Sequence, residues 1–186
     1  VKYRVMKTDG DIIDVDSPAR MPDPGHIEAI EEPVITATIL TAPEFVGAIL
    51  QLCHDKRGIQ KNMGYITPTR VMITYELPMA EVLLDFYDRL KSASKGYASL
   101  DYQITGWWVS PLVKLDVLVN EEPVDALSII CHKDTSYQRG KTLVTKMRGL
   151  IPRQMFDVAI QAAIGSRIIA RESVKALRKN VIAKCY

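Results

Sequence analysis

Apolar and polar positions alternate with period two at the N-terminus. Val1, Tyr3 and Val5 share one face, Asp9-Gly10 supplies a turn, and Ile12-Ile13-Asp14-Val15 returns. Residues 1–17 are therefore predicted as a β-hairpin. SPARMPDPGHIEAIEEP follows, with four prolines and a run of acids, a composition that marks a linker. Residues 1–32 are thus expected to be a hairpin and linker belonging to a preceding region.

From Pro33 the pattern reads β-α-β-β-α-β. VITATIL (34–40) is a strand rich in β-branched residues. Pro43-Glu44 opens a helix with Thr41 as its expected N-cap, and Phe45, Ile49, Leu52 and Cys53 form its apolar stripe. Gly58, after Lys56-Arg57, is read as its C-terminal stop. Residues 59–66 and 69–77 form a strand pair around Thr67-Pro68. A second helix begins at Pro78, with Val82, Leu83, Phe86 and Leu90 as its core face and Gly96 as its end. YASLDYQIT (97–105) closes the pattern. Two helices on one face of a four-stranded antiparallel sheet make a ferredoxin-like domain over 33–106.

Residues 107–186 are predicted as a small α+β domain of β-hairpins packed around one helix, so the fold class is α+β. LVKLDVLVN (112–120) and PVDALSIIC (123–131) bracket Asn120-Glu121-Glu122 as a hairpin. A helix over 135–151 buries Tyr137, Leu143, Val144 and Met147, and Pro152 stops it. Phe156, Val158, Ile160, Ala162 and Ile164 then alternate, and Gly165-Ser166 turns the chain into RIIARESV. The tail KALRKNVIAKCY brings Lys175, Arg178, Lys179 and Lys184 close together along the chain.

Charge changes this picture by its distribution. The 186 residues carry a net charge of +2. Residues 1–132 hold 12 Lys/Arg against 19 Asp/Glu, whereas residues 133–186 hold 12 against three (Asp134, Asp157, Glu172), a local excess of +9. Such an excess is the footprint expected for a phosphate backbone, with an anionic membrane surface as the competing partner and a plain solvated surface as the bland alternative. No run approaches the roughly 20 apolar residues of a membrane span. The N-terminus lacks the apolar run of a signal peptide. Both ends are expected to be cuts in a longer protein.

Catalytic and metal motifs are missing. There is no phosphate-binding glycine loop and no nucleophile elbow, and Lys95-Gly96-Tyr97 and Arg139-Gly140-Lys141 are too short to cradle a nucleotide. Three cysteines argue for a reducing compartment. Cys53-His54 and Cys131-His132 lack the companion spacing of a zinc site, which favours buried structural thiols. His26 is expected to lie exposed in its loop. Asp85 and Asp88 read as an exposed helical face. Trp107-Trp108 offers a base-stacking platform, although packing is the favoured reading.

The candidate RNA-binding residues are Arg153, Arg167, Arg171, Lys175, Arg178 and Lys179. Arg167 and Arg171 share parity on one short strand. Lys175, Arg178 and Lys179 fit one helical face if the tail is helical. Aromatic residues are scarce there, only Tyr137 and Phe156, which favours backbone-level contact over single-strand stacking.

The run LIPRQMFDVAIQAAIGSRIIARESVKALRKNVIAKCY resembles the C-terminal domain peculiar to the elongation factor 4 (LepA) family of translation factors. VMITYELPMAEVLLDFYDRLKSASKGYASLDY resembles that family's elongation-factor-G-like domain V, and LVKLDVLVN and EPVDALSIICHKD fit as well. The similarity runs from Arg4 to Tyr186. GWWVSPLV departs from the family's more polar segment at that place. The resemblance implies a translational GTPase of the bacterial cytoplasm or an organelle that acts on translating ribosomes and promotes back-translocation. It implies GTP and Mg in an upstream domain, no cofactor and no turnover in this chain, and a monomer. The implied partners are the ribosome, its RNA and the tRNA in the A site, with peripheral attachment to the inner membrane as an additional expectation. It also implies a further Lys-rich tail beyond this chain. A membrane-surface or general RNA-binding module without a translational role is the alternative.

Overall fold

β-branched residues crowded between Val34 and Thr41 favour the extended chain of Ile27–Thr41, and this strand organises the first half of the fold. The computed structural model describes residues 1–177. In chain order the strands are β1 (Tyr3–Lys7), β2 (Ile12–Val15), β3 (Ile27–Thr41), β4 (Ile59–Thr67), β5 (Arg70–Pro78), β6 (Ser99–Val109), β7 (Leu112–Val119), β8 (Glu122–Pro123), β9 (Ile129–His132), β10 (Val158–Ile164) and β11 (Arg167–Val174). The helices are α1 (Val46–Asp55), α2 and α3 (Ser136–Leu150); α2 joins Met79–Glu81, a π-helical turn Val82–Phe86 and Tyr87–Ala93. The result is α+β, with two antiparallel sheets and three helices among the described residues.

The chain forms two compact units, one of residues 1–4 and 31–109, the other of residues 5–30 and Ser110 onward. In the first, β3 lies between β6 and β5, and β4 pairs with β5, so the order is β6-β3-β5-β4 with every pairing antiparallel. This is the strand order of the split βαβ arrangement. Its core gathers Ile35, Ala37 and Ile39 of β3, Val71, Ile73 and Leu77 of β5, and Ile49, Phe86 and Leu90 of the helices. The hairpin at the N-terminus is present, with Gly10 at φ 92 closing its turn.

Both helices of this unit end in the same way. Gly58 N–H donates to the Cys53 carbonyl and Arg57 N–H to that of His54, and the left-handed residue is Arg57, at φ 63. Gly58 is required for another reason: a Cβ there would lie 2.7 Å from the Cys53 oxygen and 2.7 Å from Leu77. Gly96 repeats the closure to Lys91, and Lys95 stands at φ 52. Two expectations fail here. Thr41 is the buried last residue of β3, and a 3-10 turn at Pro43–Phe45 starts the helix without a side-chain cap. Leu83 is 55% exposed, because the π-helical turn, with Leu84 at ψ −110, shifts the helical phase so that Val82, Phe86 and Leu90 alone face inward.

In the second unit the order is β11-β10-β7-β8, with β9 also on β7. Asn120 and Glu121 both take positive φ, giving a two-residue turn between β7 and β8. The expected strand 123–131 is interrupted by a 3-10 turn at Asp125–Leu127, so β7 is paired in two pieces, by Glu122–Pro123 at its end and by Ile129–His132 at its start. Val144 of α3 packs with Leu115, Val117, Ile160 and Val174. α3 approaches β10 and β11 closely at Gly140, where a Cβ would meet Ile169 Cδ1 at 3.0 Å and Ala162 Cβ at 3.2 Å.

Candidate nucleic-acid interface

The basic residues of the last module sit on three elements. α3 presents Lys141, Lys146 and Arg148 outward, with Arg139 half-buried. The loop from Ile151 to Asp157 carries Arg153. The β10–β11 hairpin and the chain after it carry Arg167, Arg171 and Lys175, all exposed. Among the described residues, Lys133, Arg139, Lys141, Lys146, Arg167 and Arg171 have no ion-pair partner. The three acids of this stretch are already engaged. Asp134 lies 3.8 Å from His132, Glu172 3.2 Å from Arg148, and Asp157 3.9 Å from Lys175. Positive charge therefore stays directed at solvent, which is what an anion-binding surface requires.

The hairpin does not keep Arg167 and Arg171 on one face. The β10–β11 register moves from Ala162↔Ala170 to Ala163↔Ile168, so β11 holds one extra residue, Ile169. That bulge inverts the alternation. Arg171 pairs with Gln161, on the side away from α3, whereas Arg167 pairs with Ile164, which shares the side of Ile160 and Ala162. The expectation of a shared face is corrected accordingly: the two guanidinium groups reach out on opposite sides of the hairpin.

Arg153 is held, not free. Its Nε donates to the Lys175 carbonyl at 3.0 Å and its Nη2 to that of Ala176 at 3.4 Å. Leu177 N–H donates to the Gln154 carbonyl at 3.0 Å, and Ala176 N–H to Asp157 Oδ1 at 2.7 Å. These bonds pin the loop on both sides of Met155-Phe156. Arg178 and Lys179, and with them the proposed helical face of the tail, lie outside the described residues.

The aromatic residues differ from their sequence reading. Tyr137, placed in the buried stripe of α3, is 59% exposed; Ser136, Gly140 and Val144 line that stripe instead. Phe156, read as the first inward position of β10, is 83% exposed because the strand starts at Val158. Trp107 and Trp108 belong to β6, opposite Pro33 and Glu32, and the Arg4 guanidinium covers the Trp107 ring at 3.9 Å. Sequence periodicity could not show either exposure, since both positions carry the correct parity for a core.

Elsewhere the ionisable groups have structural surroundings. Glu32, 1% exposed, is held by both Nη atoms of Arg57 at 2.8 and 2.9 Å, and Glu81 receives Arg57 Nε at 3.3 Å. Burial would lower the Arg57 pKa, but its bonds to Glu32 and the charges of Glu32 and Glu81 outweigh this and raise it. Lys56 donates to Asp85 at 2.8 Å and holds that carboxyl below its usual range. Cys53 and Cys131 are buried, and burial pushes the Cys53 thiol up to about 12. His26 is exposed. No helix among the described residues is long and apolar enough to cross a membrane.

Comparison with known proteins agrees with this geometry. Residues 29–118 match the family model described as Elongation factor G C-terminus, and residues 119–186 that described as GTP-binding protein LepA C-terminus. The chain is 61% identical over its whole length to Elongation factor 4 of Solibacter usitatus and 55% identical to Elongation factor 4 of Amoebophilus asiaticus. It spans 31% of the length of each of these relatives. With both regional matches in the expected order along one chain, the protein belongs to the elongation factor 4 (LepA) family and carries its C-terminal part.

Proposed function

We propose that this chain is the ribosome- and tRNA-binding part of a translational GTPase. The single observation that carries this reading is the set of unpaired, outward cations in a module of the LepA C-terminal type. Ribosomal RNA and the A-site tRNA present dense phosphate, and a structured RNA is read through backbone and shape by such point charges and forks. Arg167 and Arg171, on opposite sides of one hairpin, suit a partner that wraps around the hairpin tip, as adjoining RNA helices would. Lys175 contributes beside the neighbouring loop, which Arg153 holds in place, and Arg178 and Lys179 extend the same basic stretch along the sequence. GTP and Mg belong to an upstream domain of the full-length protein, and the place of action is the bacterial cytoplasm. Back-translocation of ribosomes is the activity this reading assigns to the whole protein.

The test is binding of the chain to ribosomes and to deacylated tRNA over a salt series. Affinity should fall steeply with salt, and the double substitution Arg167→Glu, Arg171→Glu should weaken it and flatten the log–log slope by about two. An unchanged affinity and slope in that variant would remove these residues from the interface.

A further inference from the structure

The loop between α3 and β10 holds an exposed aromatic residue in a braced setting. Phe156 is 83% and Met155 64% exposed, and Leu150, at the end of α3, is exposed as well. Leaving a Phe side chain in water forgoes the gain of burying it. Mobile loops tolerate such exposure easily, but this loop is tied down. Arg153 bonds the carbonyls of Lys175 and Ala176, Gln154 accepts from Leu177, and Asp157 accepts from Ala176. The bracing surrounds the two apolar residues and leaves both outside.

The electrostatic setting indicates what covers them. Arg148, Arg153 and Lys175 stand on the elements that frame the loop. The adjacent carboxylate, Asp157, is occupied by the Ala176 N–H and lies 3.9 Å from Lys175 Nζ. An exposed ring on a braced loop, with Arg153 three residues before it and Lys175 on the segment that braces it, matches the combination that binds unpaired nucleotides: cations for the phosphates and a π-face under the base.

We propose that Phe156 is a stacking platform for an unpaired nucleobase of a structured RNA, with Met155 against the sugar or the base edge. This inference rests on the RNA-binding reading above and adds to it a single-stranded element and the residue that takes it. Arg153 acts as a positioning residue, holding the loop in its raised form.

The experiment measures affinity of the full chain for two RNA hairpins with the same stem, one blunt and one with a four-nucleotide 3′ overhang carrying 2-aminopurine. Phe156→Ala should weaken the overhang complex by about five- to 150-fold, the effect of one stacked base, and leave the blunt complex unchanged. Phe156→Trp should restore binding and the quenching of 2-aminopurine. Equal affinity of wild type and Phe156→Ala for the overhang hairpin, with salt-dependent binding of both RNAs retained, overturns the stacking role and leaves the RNA reading intact. Failure of the wild type to bind either RNA overturns both. Flotation with phosphatidylserine vesicles that depends on Phe156, together with indifference of RNA binding to Phe156→Ala, overturns the proposal in favour of a membrane surface.

Discussion

Residues 1–4 and 31–109 contain nine Lys/Arg and nine Asp/Glu, and many of them face one another: Arg4 with Glu31, Lys56 with Asp85, Arg57 with Glu32 and Glu81, Lys61 with Glu76. The other unit contains 15 and 13, but sorted along the chain. Residues 5–30 and 110–132 together hold three Lys/Arg against ten Asp/Glu, and residues 133–186 hold 12 against three. The acidic half of the sequence is therefore not the ferredoxin-like unit, which is neutral. The acids accumulate in the N-terminal hairpin and its following loop and around the β7–β8 turn, within the same unit as the basic module. In one unit charge joins elements of the scaffold. In the other it is segregated and left available to a partner.

The largest effect expected from this contrast comes from breaking the scaffold pair. Glu32→Ala leaves Arg57 without its fork partner at the junction of β3, α1 and α2, and should lower stability by about 3–5 kcal/mol in denaturant titrations. Arg148→Ala, which removes an exposed pair with Glu172, should cost less than about 1 kcal/mol. Comparable losses in the two variants would erase the distinction between the units.

The next effect is alkaline. The Cys53 thiol, at about 12 when folded, stays protonated while the unfolded thiol ionises near 9. Above that pH the unfolded state binds fewer protons, so stability falls as pH rises, by about 1.4 kcal/mol per pH unit up to 12. Cys53→Ala should remove that part of the slope in thermal melts recorded between pH 8 and about 11. A slope identical to wild type would show that the thiol is not the group responsible.

The smallest effect separates charge from geometry in the basic module. Arg153→Lys keeps the cation but loses the fork on Lys175 and Ala176. Affinity for the overhang hairpin should drop a few-fold, with the salt slope and the blunt-hairpin affinity unchanged. A changed salt slope would make Arg153 a phosphate contact instead.

Much of the fold was legible because helix and strand periods are long-range averages. The strands of the split βαβ unit, α1 and α3 follow directly from them. What escaped was local phase. One extra residue in the π-helical turn carried Leu83 outward, and one extra residue in β11 separated Arg167 from Arg171, although each segment kept its composition. Phe156 has the right parity for β10, but Asp157 takes the Ala176 N–H and the strand begins only at Val158. The candidate cations were readable as a group from their density. Their individual circumstances were not, since Arg153 is engaged by carbonyls 22 and 23 residues away.

The bulge at Ile169 has one more consequence. Its side chain lies against the gap left by Gly140 on α3, and the half-buried Ile169 and Ala170 both pack against the core of this unit. Deletion of that single position would restore strict pairing along the hairpin, yet Arg167 would stay opposite Ile164 and Arg171 opposite Gln161, so the two cations would keep their opposite sides. The extra residue thus serves the packing of α3 on the hairpin, and the register of the hairpin sets the two arginines apart. A one-codon gap there would cost the contact with Gly140 and leave the basic surface as it is.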